Sequence, residues 1–301
     1  MTAIYFDSTN PDDLRRQRLY QGEIYVFLPC PSTIALRNHA REMIEDGFKG
    51  IDPEFAQYSL PVEEYEAIVA PLKPRLIHHP KTKQLIQKVL EDLHCDLLKT
   101  YLDVPRLRVT TSDGYLTTGV GHVCQPHRDT WYAAPGCQLN WWLPIYDFES
   151  ESAMAFHPVY WNRAVKNGSG AFNYHEWNRQ ERKGADSRSD TRKPPQPEDA
   201  IALDPQIRVV CPAGGIVLFS PVHLHSTVPN TSGRTRYSMD FRTVHWDEVV
   251  AKAGAPNLDS ASTGTSLRNF MRGTDLAPFP PEVLELYEDG VPSGELLALG
   301  S

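Results

Sequence analysis

The 301-residue sequence contains no apolar run approaching the roughly 20 residues needed to cross a bilayer, which argues against a membrane-spanning protein. Its opening, Met1-Thr2-Ala3-Ile4-Tyr5-Phe6-Asp7, lacks a basic segment followed by an apolar one, so no secretory signal and a cytoplasmic setting are expected. Cysteine is scarce. The five residues (Cys30, Cys95, Cys124, Cys137, Cys211) are scattered, odd in number and free of any Cys-x-x-Cys pair, which argues against a zinc knuckle or disulfide framework. Basic charge is also short: 30 Lys and Arg stand against 38 Asp and Glu, a formal net charge of -8. Nucleic acid and anionic membranes call for a net basic face, so neither is expected as a partner.

What is present is material for a core, with 41% hydrophobic residues, and many turn formers, with 25 Pro and 19 Gly. Residues 1–104 read as mainly helical. One helix runs from a Ser32-Thr33 cap through Ala35, Leu36, Ala40, Met43 and Ile44 to about Gly47. A second, from Pro80, carries Leu85, Ile86, Val89, Leu90, Leu93, Leu97 and Leu98 on one stripe. After Pro105 the texture becomes strand-like, in segments 106–112, 115–123, 137–146, 152–158, 207–211, 215–225 and 235–245. Helices first and strands afterwards, without βαβ alternation, predict a mainly β fold with flanking helices, a sandwich or barrel. The pattern lapses over 160–200, which reads as an insertion or lid; within it, Arg179 to Lys193 holds six basic and three acidic side chains. Residues 247–301 form a C-terminal extension with one more helix at Pro281–Glu288. The whole reads as one domain, 1–301, with its β core at 105–246.

The chemistry concentrates in two stretches. In Gln125-Pro126-His127-Arg128-Asp129-Thr130-Trp131, the two-residue spacing puts His127 and Asp129 on one face of an extended chain. An imidazole and a carboxylate converging in this way are two ligands for a divalent metal such as Fe(II). Downstream, a strand from Gly215 ends at His225, turns follow at Pro229-Asn230 and Ser232-Gly233, and the next strand opens with Arg236. An antiparallel hairpin would return Arg236 beside His225. Arg236, Ser238, Asp240 and Arg242 then share one face, and Tyr237, Met239 and Phe241 the other, as in a barrel with a polar interior.

These segments resemble the iron(II)- and 2-oxoglutarate-dependent oxygenases, and among them the phytanoyl-CoA-dioxygenase-like group. The resemblance covers about residues 105–245 and rests on His127-x-Asp129, the run from His225 through Pro229-Asn230 and Ser232 to Arg236, and the Arg236-x-Ser238 pair. His157-Pro158 departs from the Pro-Gly-Ser-His turn common in that group. The resemblance implies a double-stranded β-helix (jelly-roll, cupin-like) core, with His127, Asp129 and His225 as a facial triad on Fe(II). It also implies Arg236 and Ser238 on the far carboxylate of 2-oxoglutarate, and dioxygen as second cosubstrate. Because a carboxylate stands at Asp129, where halogenating relatives have Gly or Ala, it implies hydroxylation, desaturation or oxidative cyclisation of a small-molecule substrate, as in specialised metabolism.

Rival assignments stay open. His223 shares strand parity with His225, and Arg234 competes with Arg236. Asn140, on one face with Gln138 and Trp142, either bonds cosubstrate or substrate or is a structural amide. Trp131 and Tyr132 read equally as pocket wall or core, and His122, His157, His175 and His245 as packing, surface or substrate-shell residues. A non-redox cupin-like metal- or sugar-binding module would need no Arg236-x-Ser238 pair; a protein hydroxylase is the other alternative.

Overall fold

A computed structural model describes residues 2–117, 119–121, 124–181 and 194–288. Among these, the strands are β1 (Ile4–Phe6), β2 (Ile24–Phe27), β3 (Thr100–Leu102), β4 (Arg106–Thr110), β5 (Leu139–Pro144), β6 (Met154–Phe156), β7 (Ile207–Arg208), β8 (Ile216–Phe219), β9 (His225–Thr227), β10 (Arg236–His245) and β11 (Met271–Arg272). The α-helices are α1 (Asp12–Tyr20), α2 (Pro31–Phe48), α3 (Val62–His78), α4 (Pro80–Asp92), α5 (Tyr174–Glu181), α6 (Trp246–Val250) and α7 (Pro281–Leu284).

The strands form two sheets. The larger runs β1-β2-β8-β5-β10-β3-β11, with β4 also on β10; the smaller runs β7-β6-β9. The long strand β10 organises the larger sheet: one edge pairs with β5, the other with β4 over its first half and β3 over its second. Its alternation follows from the pleat, which sends successive side chains to opposite faces. Tyr237, Met239 and Phe241 point outward with Leu107, Val109, Leu139, Trp141 and Leu143, and pack on the apolar stripes of α2, α3 and α4. Full burial of each such side chain contributes about 1.5–3 kcal/mol, which fixes the register and leaves the opposite, polar face to the cleft between the sheets.

Several local expectations are corrected. The N-terminal region is not helical support alone, since β1 and β2 extend the larger sheet beside β8. In α2, Pro31 takes the first helical position and the Thr33 side chain bonds the Cys30 backbone, so the cap lies at Cys30, ahead of Ser32-Thr33. The second predicted helix stops at Asp92; His94 adopts a left-handed φ of 60°, and Leu97 and Leu98 lie beyond it. The helix α3 passed unread because Pro71 and Pro74 lie inside it; the buried stripe Tyr65, Val69, Leu72, Leu76 holds it against the sheet.

The strand predicted over 115–123 does not form among its described residues. The Thr111 hydroxyl instead ties both the N–H and the C=O of Leu116, and Gly119–Gly121 makes a 3-10 turn. The segment 215–225 is likewise two strands, broken after Phe219 by a turn containing Pro221. The C-terminal helix is shorter than expected, Pro281–Leu284 followed by a 3-10 turn at Glu285–Tyr287. Within the 160–200 insertion, α5 is helical; the basic stretch from 182 to 193 lies outside the described residues.

Candidate metal centre

His127 and His225 are joined as a single antiparallel bridge: His127 N–H donates to His225 O at 2.9 Å and His225 N–H to His127 O at 3.0 Å. One bonded pair of backbones thus presents two imidazoles side by side, ring centroids 4.4 Å apart. Asp129 opens a short 3-10 turn, and its N–H is held by Pro221 O at 3.0 Å. Ligand atoms of His127, Asp129 and His225 all lie within 4.8 Å of one another, and His127 Nε2 is 3.5 Å from Asp129 Oδ1.

The tautomers are set by the backbone. His127 Nδ1 lies 2.7 Å from Gln125 O, and His225 Nδ1 lies 2.9 Å from His223 O. A carbonyl can only accept, so each Nδ1 carries the proton and each Nε2 offers its lone pair to the shared space. Burial, reinforced by the neighbouring His127, pushes His225 down to about 4, which keeps it in the neutral, ligating form near pH 7. Burial works against ionising Asp129, but the adjoining His127, His225 and Arg242 outweigh it, so the carboxyl stays well below the usual range.

Arg236 lies apart from this trio, on the larger sheet, while His225 belongs to the smaller one. The predicted hairpin does not form: β9 pairs with β6, and residues 228–235 carry the chain across to the other sheet. Arg236 is nonetheless buried in the cleft, its guanidinium carbon 5.5 Å from the Trp142 ring centre. It donates to Ser152 O at 2.5 Å and to Thr110 Oγ1 at 3.0 Å, both neutral acceptors, and its Nε has no partner among the described residues. Ser238, on the same face, has a buried hydroxyl without a partner among the described residues. Burial pushes the guanidinium down to about 10, the mark of a cation held without a counter-charge.

Of the roles open to Asn140, the contacts shown are those to protein groups. Its Nδ2 donates to Asp129 Oδ2 at 2.5 Å, and its Oδ1 accepts from Gln138 Nε2 at 2.9 Å, so the amide is engaged by the acid and its strand neighbour ahead of any small molecule. Trp131 is also core: fully buried, it packs with Tyr160, Val165 and Leu224 and donates to Asp259 Oδ1 at 2.7 Å. Tyr132 stays at the site, its ring edge-on to His127 at 5.5 Å.

Among the rivals, His223 is outside the ligand cluster and packs on Trp161 at 4.6 Å; strand parity does not apply because it precedes β9. Arg234 is surface-exposed beside Glu54. His157 joins Leu203 O and the Ser226 hydroxyl, His175 joins Glu288, and His122 lies outside the described residues. Sequence reasoning missed Arg108 and Asp259. The first sat within a predicted strand with no partner yet identified, and the second lies in the unassigned extension.

Two imidazole nitrogens and one carboxylate oxygen suit a borderline divalent ion such as Fe(II), and the unpaired Arg236 and Ser238 suit a carboxylate. A family model, phytanoyl-CoA dioxygenase (PhyH), matches residues 35–238, more than half of the chain. The chain belongs to the phytanoyl-CoA dioxygenase family. It is a 2-oxoglutarate-dependent non-haem iron dioxygenase, with iron and 2-oxoglutarate as its cofactor and cosubstrate.

No curated protein matches the sequence. Solved structures that resemble this family member include the non-haem monooxygenase ThoJ (14% identity, TM-score 0.41, 82% of this chain and 79% of that one). Another is EvdO2 from Micromonospora carbonacea var. aurantiaca complexed with 2-oxoglutarate (13%, 0.37, 57% and 62%), of which the chain therefore spans less than two thirds. A third is the epimerase SnoN in complex with Fe3+, alpha ketoglutarate and nogalamycin RO (14%, 0.42, 89% and 97%). Among the described residues, no helix is long and apolar enough to cross a membrane.

Proposed function

We propose that this dioxygenase holds Fe(II) on His127, Asp129 and His225, binds 2-oxoglutarate through Arg236 and Ser238, and hydroxylates, desaturates or cyclises a small molecule in specialised metabolism. The observation that carries the assignment is the pairing of a ligand trio within 4.8 Å with a buried guanidinium that has no anion. A non-redox binding module would have no use for the second feature. The facing sheets, bridged at His127 and His225, support a double-stranded β-helix core. Residues 1–301 acting as one oxygenase domain belong to the same reading.

The iron, once bound with 2-oxoglutarate, supplies the oxidising power, coupling loss of CO₂ from the cosubstrate to activation of dioxygen. The protein's own contribution is placement. Gln125 O and His223 O hold the imidazoles with Nε2 deprotonated, and Asn140 holds Asp129 through Oδ2, leaving Oδ1 turned toward His127. Arg236 offers a planar, permanently charged fork to the carboxylate remote from the metal, and the Ser238 hydroxyl adds a donor. Phe156 and Phe219, ring centres 6.3 and 5.1 Å from His225, keep water from that ligand's flank. The Asp129 carboxylate fills a ligand position, which favours oxygen insertion or hydrogen removal over halide transfer.

The test is anaerobic addition of Fe(II) and 2-oxoglutarate, followed by the visible charge-transfer band of the chelate and, after admitting air, by succinate formation. Wild type is expected to show both and Asp129→Ala neither. A wild-type protein without band or succinate overturns the assignment.

A further inference from the structure

The polar face of the larger sheet holds a second arginine that the cofactor and cosubstrate leave unused. Arg108 on β4 is the direct partner of Ser238 and therefore shares the cleft face with Arg236. Its neighbours there, Thr110, Ser238, Asn140 and Trp142, are buried. Arg108 is not: 46% of its side chain is accessible, against 21% for Asp129 and 13% for His127. A side chain this accessible, among buried neighbours on the sheet face shared with Arg236, is one that a ligand approaching that face meets.

The guanidinium is also held in place. Its Nε and Nη2 donate to the two oxygens of Asp240 at 2.6 and 3.3 Å, so the fork is pinned along one edge while the side chain stays accessible. A pre-positioned donor loses little freedom on binding.

The net charge of the surrounding region points the same way. Four guanidiniums share this region (Arg106, Arg108, Arg236, Arg242), and three carboxylates oppose them: Asp103 on Arg106 and Arg242, Asp240 on Arg108, and Asp129 at the metal. Fe(II) and the 2-oxoglutarate dianion cancel each other. One positive charge remains across the region, formally on Arg106 and Arg242, which share Asp103, and the facing strands β6 and β9, Met-Ala-Phe and His-Ser-Thr, supply no carboxylate to neutralise it; Arg108 is the most accessible of these cations.

Resting on the iron and 2-oxoglutarate assignment above, we propose that the substrate is a monocarboxylate, docked by its acid group on Arg108. Arg236 keeps the cosubstrate, and Arg108 sets which molecules enter. On the His127 side, Tyr132, Phe172 and Trp177 make a file of rings with successive centroids 5.4 Å apart, so an aryl acid is a suitable probe.

The experiment uses the holoenzyme, anaerobic and saturated with Fe(II) and 2-oxoglutarate, and reads ¹⁹F relaxation of 4-fluorophenylacetate and of its neutral amide. The acid is expected to show saturable paramagnetic broadening and to bind at least about tenfold tighter than the amide, a step of about 1.4 kcal/mol. In Arg108→Gln that preference disappears. The double variant Arg108→Gln/Asp240→Asn, which strands no carboxylate, behaves the same way, and Arg108→Lys keeps most of the preference. The 2-oxoglutarate affinity, read from the chelate band, stays unchanged in all three.

Equal binding of acid and amide, no saturable binding of either, or variants that weaken 2-oxoglutarate in place of the acid each overturn the proposal while the chelate band persists. A wild-type protein that forms no band removes the parent assignment, and this one with it.

Discussion

The Arg128 guanidinium, set in sequence between His127 and Asp129, ends on Asp259, with Nε 3.0 Å from Oδ2. The pair is sealed: Arg128 is fully buried and also bonds Val222 O, Tyr160 O and Arg163 O, while Asp259 accepts from the Trp131 indole and the Val165 N–H. The loop carrying His127 and Asp129 is thus fastened to the C-terminal extension through Arg128 and Trp131, which share Asp259.

Asp259→Asn is expected to cost about 3–5 kcal/mol, because it leaves the buried guanidinium without a counter-charge. The double variant Arg128→Met/Asp259→Asn should recover at least about 1 kcal/mol of that loss, since it removes the stranded charge. Urea unfolding of the iron-free proteins measures both, and a double variant less stable than Asp259→Asn would contradict the account.

Arg236 leads to a prediction with opposite signs for stability and function. Arg236→Met removes a buried cation that lacks an anion, so the iron-free protein should be no less stable than wild type. The KM for 2-oxoglutarate should meanwhile rise about 100-fold, in line with loss of a charge-assisted bidentate contact of roughly 3 kcal/mol. Calorimetry and a succinate assay read the two sides independently.

Asn140 separates two roles by which constant moves. As the donor to Asp129 Oδ2, its replacement by Ala should raise the Fe(II) dissociation constant about 10- to 100-fold and leave the 2-oxoglutarate KM at saturating iron unchanged. A direct cosubstrate contact predicts the reverse, and titration of the chelate band distinguishes them.

His39 gives a pH dependence far from the metal. It is buried between α2 and α4, with Nε2 3.1 Å from Thr82 Oγ1, and burial together with nearby His79 and Lys81 lowers its pKa from the usual 6.5. Below about pH 6.5 the unfolded chain takes up a proton that the folded chain resists, so stability present at pH 7.5 is lost as the pH falls through that value. The urea midpoint should drop between pH 7.5 and 5.0, and His39→Gln should show a smaller drop.

The helices α2 and α4 and the strand β10 were readable because each carries an apolar pattern whose period matches its own geometry. The His127-x-Asp129 spacing was readable for a similar reason: two residues along an extended chain return to the same face. By contrast, α3 was hidden by its two prolines, and the break after Phe219 by an apolar run continuing through Val222 and Leu224. In both places contacts from distant segments outweigh the local signal. The face of Asn140 was readable and its contact with Asp129 was not, since a strand pattern says which way a side chain points and nothing about what waits there.

The sequence by itself determined the residue types of the candidate metal centre, the polar face of β10 and the family to which the chain belongs. It could do so because spacing along a strand and donor chemistry are local properties. Only the tertiary structure decided that His225 joins His127 by a backbone bridge, that Arg236 reaches the cleft from the opposite sheet, and that Arg108 is fixed by Asp240. Those three facts depend on how two sheets face each other, and the packing energy that sets the facing is gathered from the whole chain.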